Sequence, residues 1–342
     1  MINRLVWMET DNTYPYRNLA MEEYMTLHVP RGTCILYLWQ NRHTVVIGKN
    51  QNCWRECRLN FLEQEDGYLV RRLSGGGAVF HDLGNLNFTF IVGAGDYDVS
   101  RQLDVILEAV RSLGIHAEKT GRNDITVDGR KFSGNAFYRT GDGCYHHGTI
   151  LIRADKENMS RYLNVSKEKL ASKGVTSVKS RVANLCEFKP DITLEEVKSA
   201  LVEAFSKVYG QPAVRMEEGE LPQPDIDART EKFASWQWKY GRKIPFEYEM
   251  EKRFPWGNIQ IQFHVDEGMI QDVNVFSDAM DQEMIGMLAE QLKGCAYAEE
   301  DICRAVKAVG TDAFQAGEYT GADEPQSCRI KEDIMTLVRE SL

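Results

Sequence analysis

Hydrophobic and polar positions follow two rhythms along this chain, and each rhythm predicts its own elements. Cys34-Ile35-Leu36-Tyr37-Leu38-Trp39 and Thr44-Val45-Val46-Ile47-Gly48 are almost continuously apolar. That pattern reads as two strands buried on both faces, joined through Asn41-Arg42-His43. Tyr68-Leu69-Val70 favours extended backbone, and Leu86-Asn87-Phe88-Thr89-Phe90 alternates apolar with polar, as strands do. Leu103, Ile106, Leu107, Val110 and Leu113 recur at helical spacing, with Gly114 placed to end the helix. A shorter helix is expected over Asn18 to Leu27, with Leu19, Met21 and Met25 near one face. Asp128-Gly129 between Ile125-Thr126-Val127 and Arg130-Lys131-Phe132 predicts a hairpin that sets Lys131 just inside the returning strand. Thr193-Leu194-Glu195-Glu196 is a capping box, followed by a helical stripe to Val208 that Gly210 terminates.

Beyond Gly210 the chain is rich in Pro, Gly and acidic residues as far as Asp227, hence loop. Trp236, Trp238, Tyr240 and Phe246 are expected to cluster beneath the larger domain. A boundary near Arg253 to Gly257 divides residues 1–252 from a small α+β domain at 253–342. Within the latter, Asn258 to Val265 and Met269 to Phe276 read as strands. Helices are expected at Gln282 to Leu292, Glu299 to Val309 and Ile330 to Val338. At 342 residues the chain is long enough for one large core and a smaller one.

Charge and cysteine usage narrow the chemistry. A formal net charge of −10 argues against non-specific nucleic-acid binding, which needs a basic face. No apolar run approaches the ~18 residues of a membrane span. The first nine residues read as no secretory signal, and a reduced, cytoplasmic chain is the expectation. Eight cysteines are scattered, and Cys53-x-x-x-Cys57 has no second pair to complete a zinc site. His146 and His147 are adjacent, so on a strand they face opposite sides and cannot easily share one metal.

The sharpest local feature is Arg71-Arg72-Leu73-Ser74-Gly75-Gly76-Gly77-Ala78-Val79-Phe80-His81-Asp82. Three glycines let backbone approach a ligand closely, and two arginines with a serine supply donors for an anion. A tight charged bend between strands would look the same. Neither well-known phosphate motif is matched, since no Lys-Ser/Thr follows and no G-x-G-x-x-G opens a helix. The lysine-, serine- and threonine-rich segment Lys167 to Arg181 reads as a surface loop whose basic content would suit a lid over an anion.

Several stretches together resemble the lipoate-protein ligase family. They are Thr44 to Asn52, the Arg-Arg-x-Ser-Gly-Gly-Gly-Ala-Val-Phe-His-Asp-Leu-Gly-Asn stretch at 71–85 and Gly121-Arg122-Asn123-Asp124. Arg130 to Ala136, His146-His147-Gly148-Thr149 and Lys173 to Val182 also fit. The order and intervals agree, and the resemblance runs into the small C-terminal accessory domain. It implies an α+β fold: a mixed, largely antiparallel sheet flanked by helices, as in biotin ligases and class II aminoacyl-tRNA synthetases. It also implies a two-step reaction, in which lipoate and ATP give lipoyl-AMP and a carrier lysine then takes the lipoyl group.

The same resemblance suggests roles. Lys131 would be the catalytic lysine, touching both lipoate and phosphate. Arg72, Gly77, Ala78, Val79, Phe80, Asn123, Asp124, Lys173 and Ser177 would meet ATP or the adenylate, with Asp124 also a candidate for Mg2+. Trp39, Val45, Ile47, Leu73, Ser74, Gly75, Gly76, His81, His147 and Gly148 would line the lipoate slot, the first two glycines holding its entrance open. ATP and Mg2+ are the expected cofactors, and lipoyl carrier domains (2-oxo-acid dehydrogenase E2 subunits and the glycine-cleavage H protein) the expected partners. Phe132 and Asn135 stand at places that vary in the family. Two alternatives stay open: a lipoyl or octanoyl transferase of the same fold that uses no ATP, for which Cys144 is the nearest thiol, and a non-catalytic lipoate-binding protein.

Overall fold

The computed structural model describes residues 1–120, 124–164, 182–310 and 326–342. The chain divides into two compact units. The larger comprises Met1–Ile47, Cys53–Arg72 and Ala78–Lys239, and the smaller Gly48–Asn52, Leu73–Gly77 and Tyr240–Leu342. The boundary expected at residues 253–257 falls instead on the turn between two paired strands, Tyr248–Phe254 and Gly257–Asp266. Pairing between those strands buries Met250, Ile259 and Ile261 in one core, so the chain enters the smaller unit earlier, at Tyr240.

The larger unit is built on strands β1 (Arg4–Glu9), β2 (Thr33–Trp39), β3 (Thr44–Ile47), β4 (Tyr68–Arg71), β5 (Val79–His81), β6 (Asn85–Gly93), β7 (Glu118–Thr120), β8 (Asp124–Val127), β9 (Arg130–Arg139), β10 (Gly143–Leu151) and β11 (Ala213–Arg215). Eight of them form one sheet in the order β11-β1-β2-β6-β10-β9-β8-β7, parallel at β11–β1–β2 and antiparallel elsewhere. This is the mixed, largely antiparallel sheet the sequence implied. β3, β4 and β5 make a separate three-stranded sheet. β2 and β3 are fully buried as their apolar runs predict, yet they belong to different sheets.

Helices cover both faces of the large sheet. Pro15–Leu27 lies over β6 and β10 on one face, with Gln223–Ala234 packed against it. Val99–Ser112 and Leu194–Tyr209 pack together on the other. Side chains show the division: on β10, His146 meets Gln102 of Val99–Ser112, while its neighbour His147 meets Glu22 of Pro15–Leu27. Pro15 starts its helix where the missing N–H costs nothing. Thr193 and Glu196 close the predicted capping box, and Gly210 ends that helix at φ 71°. The β8–β9 hairpin turns through Asp128 at φ 48° and Gly129 at φ 71°, the two positive values a type I′ turn requires.

The smaller unit has a sheet of β12 (Tyr248–Phe254), β13 (Gly257–Asp266) and β14 (Met269–Ser277), with helices Gln282–Leu292, Glu299–Ala308 and Gln326–Ser341. Alternation places Ile259, Ile261 and Phe263 against Met284, Leu288, Ile302 and Ile334. The aromatic residues expected to cluster at 236–246 differ in their surroundings. Trp236 is exposed, as is Phe246, while Trp238 packs edge-on to Phe233 and donates its indole N–H to the Arg71 carbonyl.

Candidate active site

The site lies on the face of the large sheet that the helix Pro15–Leu27 covers. Thr89 on β6 and His147 on β10 are cross-strand partners and share that face, as do Asn87 and Thr149 one step along. Glu22 joins them from the helix, 1 % exposed. Its Oε1 accepts from the Thr89 hydroxyl at 2.7 Å and lies 2.9 Å from His147 Nδ1. Thr89 in turn accepts from the Trp39 indole N–H at 3.0 Å. A buried carboxylate is costly without donors, and this chain of contacts supplies them.

Lys131 stands on β9, half-buried, with Nζ 2.6 Å from Asp124 Oδ1 across the hairpin. Gly134 makes room for it. A Cβ built there would fall 2.6 Å from the Lys131 ammonium and 3.9 Å from Thr149 Oγ1, so the lysine folds back over the glycine toward Thr149. The Lys131 carbonyl accepts from Ala183 N at 2.8 Å, fixing the backbone at that point.

Arg72 is 5 % exposed, and its Nη1 donates to the Val46 carbonyl at 3.3 Å. Burial pulls the guanidinium down to about 10, while Tyr145 and Glu22 pull the other way, so it stays charged at neutral pH. His81, 4 % exposed, lies edge-on to Trp39 with ring centres 6.4 Å apart. Burial, then the nearby charges of Arg72 and His147, hold its imidazole down to about 3.

The structure therefore brings together Trp39, His81, His147 and Arg72 around Glu22 and Thr89, and pairs Lys131 with Asp124. Phe80 is buried, stacked on Tyr162 at 5.2 Å, while Gly77, Ala78 and Val79 are the half-exposed part of the glycine stretch. Val45 and Ile47 are wholly buried in the three-stranded sheet. The side of Gly148 where a Cβ would stand faces Phe88 and Asn135, away from Thr89 and His147. Leu73, Ser74, Gly75 and Gly76 belong to the smaller unit, where Gly76 N donates to the Ala279 carbonyl at 3.1 Å. A Cβ at Gly75 would lie 2.4 Å from Ala279 O, so backbone rather than open space fills the room this glycine leaves. Asn123, Lys173, Ser177 and the rest of the basic loop at 165–181 lie outside the described residues.

Glu22, Thr89 and Asn41 escaped the sequence reading. The available signal was a Glu22-Glu23 pair inside an otherwise apolar helical stretch. Glu23 is explained structurally by Arg229 and Lys232, which both reach it, and Glu22 is left to the site. Among the described residues no three His, Cys, Asp or Glu side chains gather to hold a metal. Asp124 alone, beside Lys131, suits an ion that arrives with phosphate oxygens and needs one protein carboxylate.

Comparison with known proteins decides the family. A model of the lipoyl protein ligase A/B catalytic domain matches residues 14–206, more than half the chain. The chain belongs to the lipoyl protein ligase A/B family. A model of the bacterial lipoate protein ligase C-terminus matches residues 243–321, beginning close to where the smaller unit takes over at Tyr240. Among solved structures, P. falciparum LipL1 in complex with lipoate is 29 % identical and covers 97 % of this chain and 99 % of its own, with a TM-score of 0.82. A bipartite lipoate protein ligase from Thermoplasma acidophilum, described together with its E2 lipoyl domain as an archaeal lipoylation system, is 27 % identical over 71 % of this chain and 99 % of its own, with a TM-score of 0.61. Lipoate-protein ligase A bound with ATP is 25 % identical over 70 % and 99 %, with a TM-score of 0.60. Among the described residues no helix is long and apolar enough to cross a membrane.

Proposed function

We propose that this family member is an ATP-dependent lipoate-protein ligase, with Lys131 as its catalytic residue. In the first step a carboxylate oxygen of lipoate bonds to the α-phosphorus of ATP. The bond to the β-phosphate oxygen breaks and pyrophosphate leaves. In the second, the amine of a carrier lysine bonds to the acyl carbon and the bond to AMP breaks, while the nitrogen gives its proton to solvent. Both steps depend on alignment and charge neutralisation more than on a protein nucleophile.

The observation that carries this reading is the placement of Lys131. Its ammonium is held on the site face by Asp124 at 2.6 Å and by the space over Gly134. From there it can reach the two anionic groups that must meet, a carboxylate and a phosphate. Buried Arg72 adds a second fixed cation, and the half-exposed backbone of Ala78 and Val79 offers donors to the nucleotide. Mg2+ would be held by Asp124 with phosphate oxygens and would neutralise phosphate charge. The likeness to ligase A bound with ATP, and coverage of both catalytic and C-terminal models, favour adenylation over ATP-free transfer. Three buried thiols of the larger unit give a nucleophilic route little support. Cys144 is 1 % exposed, and burial pushes the Cys34 thiol up to about 12 and that of Cys57 higher still.

The lipoyl carriers are E2 subunits and the H protein, in a cytoplasmic, lipoate-salvaging role. The test is pyrophosphate release from lipoate, ATP and magnesium without a carrier. Wild-type protein should release it and Lys131→Ala should not, with an unchanged melting temperature. Carrier lipoylation from acyl-carrier-protein donors, but never from free lipoate and ATP, would sink the reading.

A further inference from the structure

A chain of asparagines leads from the helix Pro15–Leu27 to His81 and determines which ring nitrogen carries the proton. Asn18 is wholly buried. Its Nδ2 faces the carbonyls of Asn12 at 3.0 Å and Gln40 at 2.8 Å, which only a donor can satisfy. Its Oδ1 accepts from the Tyr37 hydroxyl at 3.3 Å. The orientation of the amide is therefore fixed by groups that cannot reverse their roles. Asn18 Nδ2 has two hydrogens for three acceptors, and it shares them with Asn41 Oδ1 at 3.1 Å; an Asn41 nitrogen turned to that side would face another donor, which fixes the amide of Asn41, itself 0 % exposed. Asn41 Nδ2 is then the group set 3.3 Å from His81 Nδ1. A donor on that side requires Nδ1 to be the acceptor, and a neutral imidazole with an accepting Nδ1 carries its proton on Nε2.

The Nε2 edge points away from Asn41, since the two nitrogens diverge across the ring. It is buried, and among the described residues it has no hydrogen-bond partner. A buried N–H left without an acceptor is destabilising, so a donor kept in that state implies a ligand that uses it. Trp39 lies beside the ring, and Arg72 is close enough to bear on its charge. An N–H donor beside a buried guanidinium suits an anionic oxygen.

We propose that Asn41 is a positioning residue that locks His81 as the Nε2–H tautomer, a fixed donor to an anionic oxygen of the substrate bound beside Arg72. The oxygen belongs either to the carboxylate of the acid or to a phosphate of the nucleotide. The assignment rests on the ligase reading for its substrates, while the tautomer itself does not. Asn41→Asp reverses the relay. A carboxylate in place of Nδ2 accepts from Nδ1–H, which leaves Nε2 bare. His81→Gln keeps an amide N–H near the Nε2 position, and His81→Phe keeps the ring shape without a donor.

The experiment uses the full-length protein and two readouts. Nitrogen-15 NMR of the imidazoles should show the His81 proton on Nε2 in the wild type and on Nδ1 in Asn41→Asp. Calorimetric titration with lipoate alone and with a non-hydrolysable ATP analogue alone separates the two sources of the oxygen. In one of these arms Asn41→Asp and His81→Phe should weaken binding about ten- to a hundredfold, the worth of one hydrogen bond to a charged group. His81→Gln should restore most of that loss in the same arm. A wild-type proton on Nδ1 would overturn the proposal, and so would wild-type binding of both ligands by His81→Phe. Failure of wild-type protein to release pyrophosphate would instead count against the ligase reading and leave the tautomer result standing.

Discussion

Gly134 offers the most direct test of whether the position of Lys131, and not merely its charge, matters. A Cβ at residue 134 would stand 2.6 Å from the Lys131 ammonium and 2.7 Å from its Cε. Ordinary contact begins near 3.5 Å, so the ammonium must move by about 1 Å. The end of a flexible side chain can do this at little cost to the fold. The substitution Gly134→Ala also removes backbone freedom from the unfolded chain, which favours folding by about 0.4–1 kcal/mol. Against that stands the loosened pair with Asp124, partly exposed and worth at most about 1 kcal/mol. Stability should therefore change by less than about 1 kcal/mol, which for a unit of this size is within roughly 4 °C. Alignment is less forgiving, since a 1 Å misplacement can cost on the order of a hundredfold in rate. Pyrophosphate release by Gly134→Ala should fall by about that factor at an almost unchanged melting temperature. Gly148→Ala is the control. Its Cβ would meet Gly134 O and Phe88 Cζ, both at 2.6 Å, neither of which can swing away. Overpacking of this kind costs about 1–3 kcal/mol, and the loss should appear in the melt. Wild-type adenylation by Gly134→Ala, or a loss that merely tracks its stability, would refute the reasoning about Lys131.

Other expectations follow from buried groups and caps. His81 and His146 are both held down to about 3, chiefly by burial, so the unfolded chain takes up protons below about pH 6.5 that the native state refuses. Stability should fall as pH drops from 6.5 toward 3, by up to about 1.4 kcal/mol per pH unit for each histidine. His146→Gln should flatten the denaturation midpoint against pH by one histidine's share. Thr193→Ala removes an exposed helix cap and should cost about 1 kcal/mol in urea denaturation with no change in adenylation. Gly75→Ala would press a Cβ to 2.4 Å from Ala279 O and 2.7 Å from Met280 O. With only backbone to yield, hydrogen exchange across β13 and β14 should accelerate.

Much of the local structure was legible because local chemistry decides it. Asp128-Gly129 can turn a hairpin at positive φ with little strain, and that turn alone puts Lys131 on the returning strand opposite Thr126. Thr193, Glu196 and Gly210 bound a helix by satisfying its own terminal groups. The continuous apolar runs at 34–39 and 44–47 required full burial, and both are buried. The spaced motifs were also enough to mark the family, because six of them keep their order and intervals between Thr44 and Val182.

Tertiary structure decided what spacing leaves degenerate. Whether β2 and β3 share a sheet depends on which distant strands they pair with, and β6 and β4 lie far along the sequence from both. Which side of β10 is the site follows from the helix that covers it, so His147 faces Glu22 while Gly148 turns toward Phe88. The glycines at 75 and 76 could equally have opened a cavity or admitted another backbone, and only the fold shows Ala279 against them. The Asn18–Asn41–His81 relay was beyond reach for the same reason. Each member is an ordinary polar residue in sequence, and the direction of each hydrogen bond is imposed by carbonyls that only folding brings near.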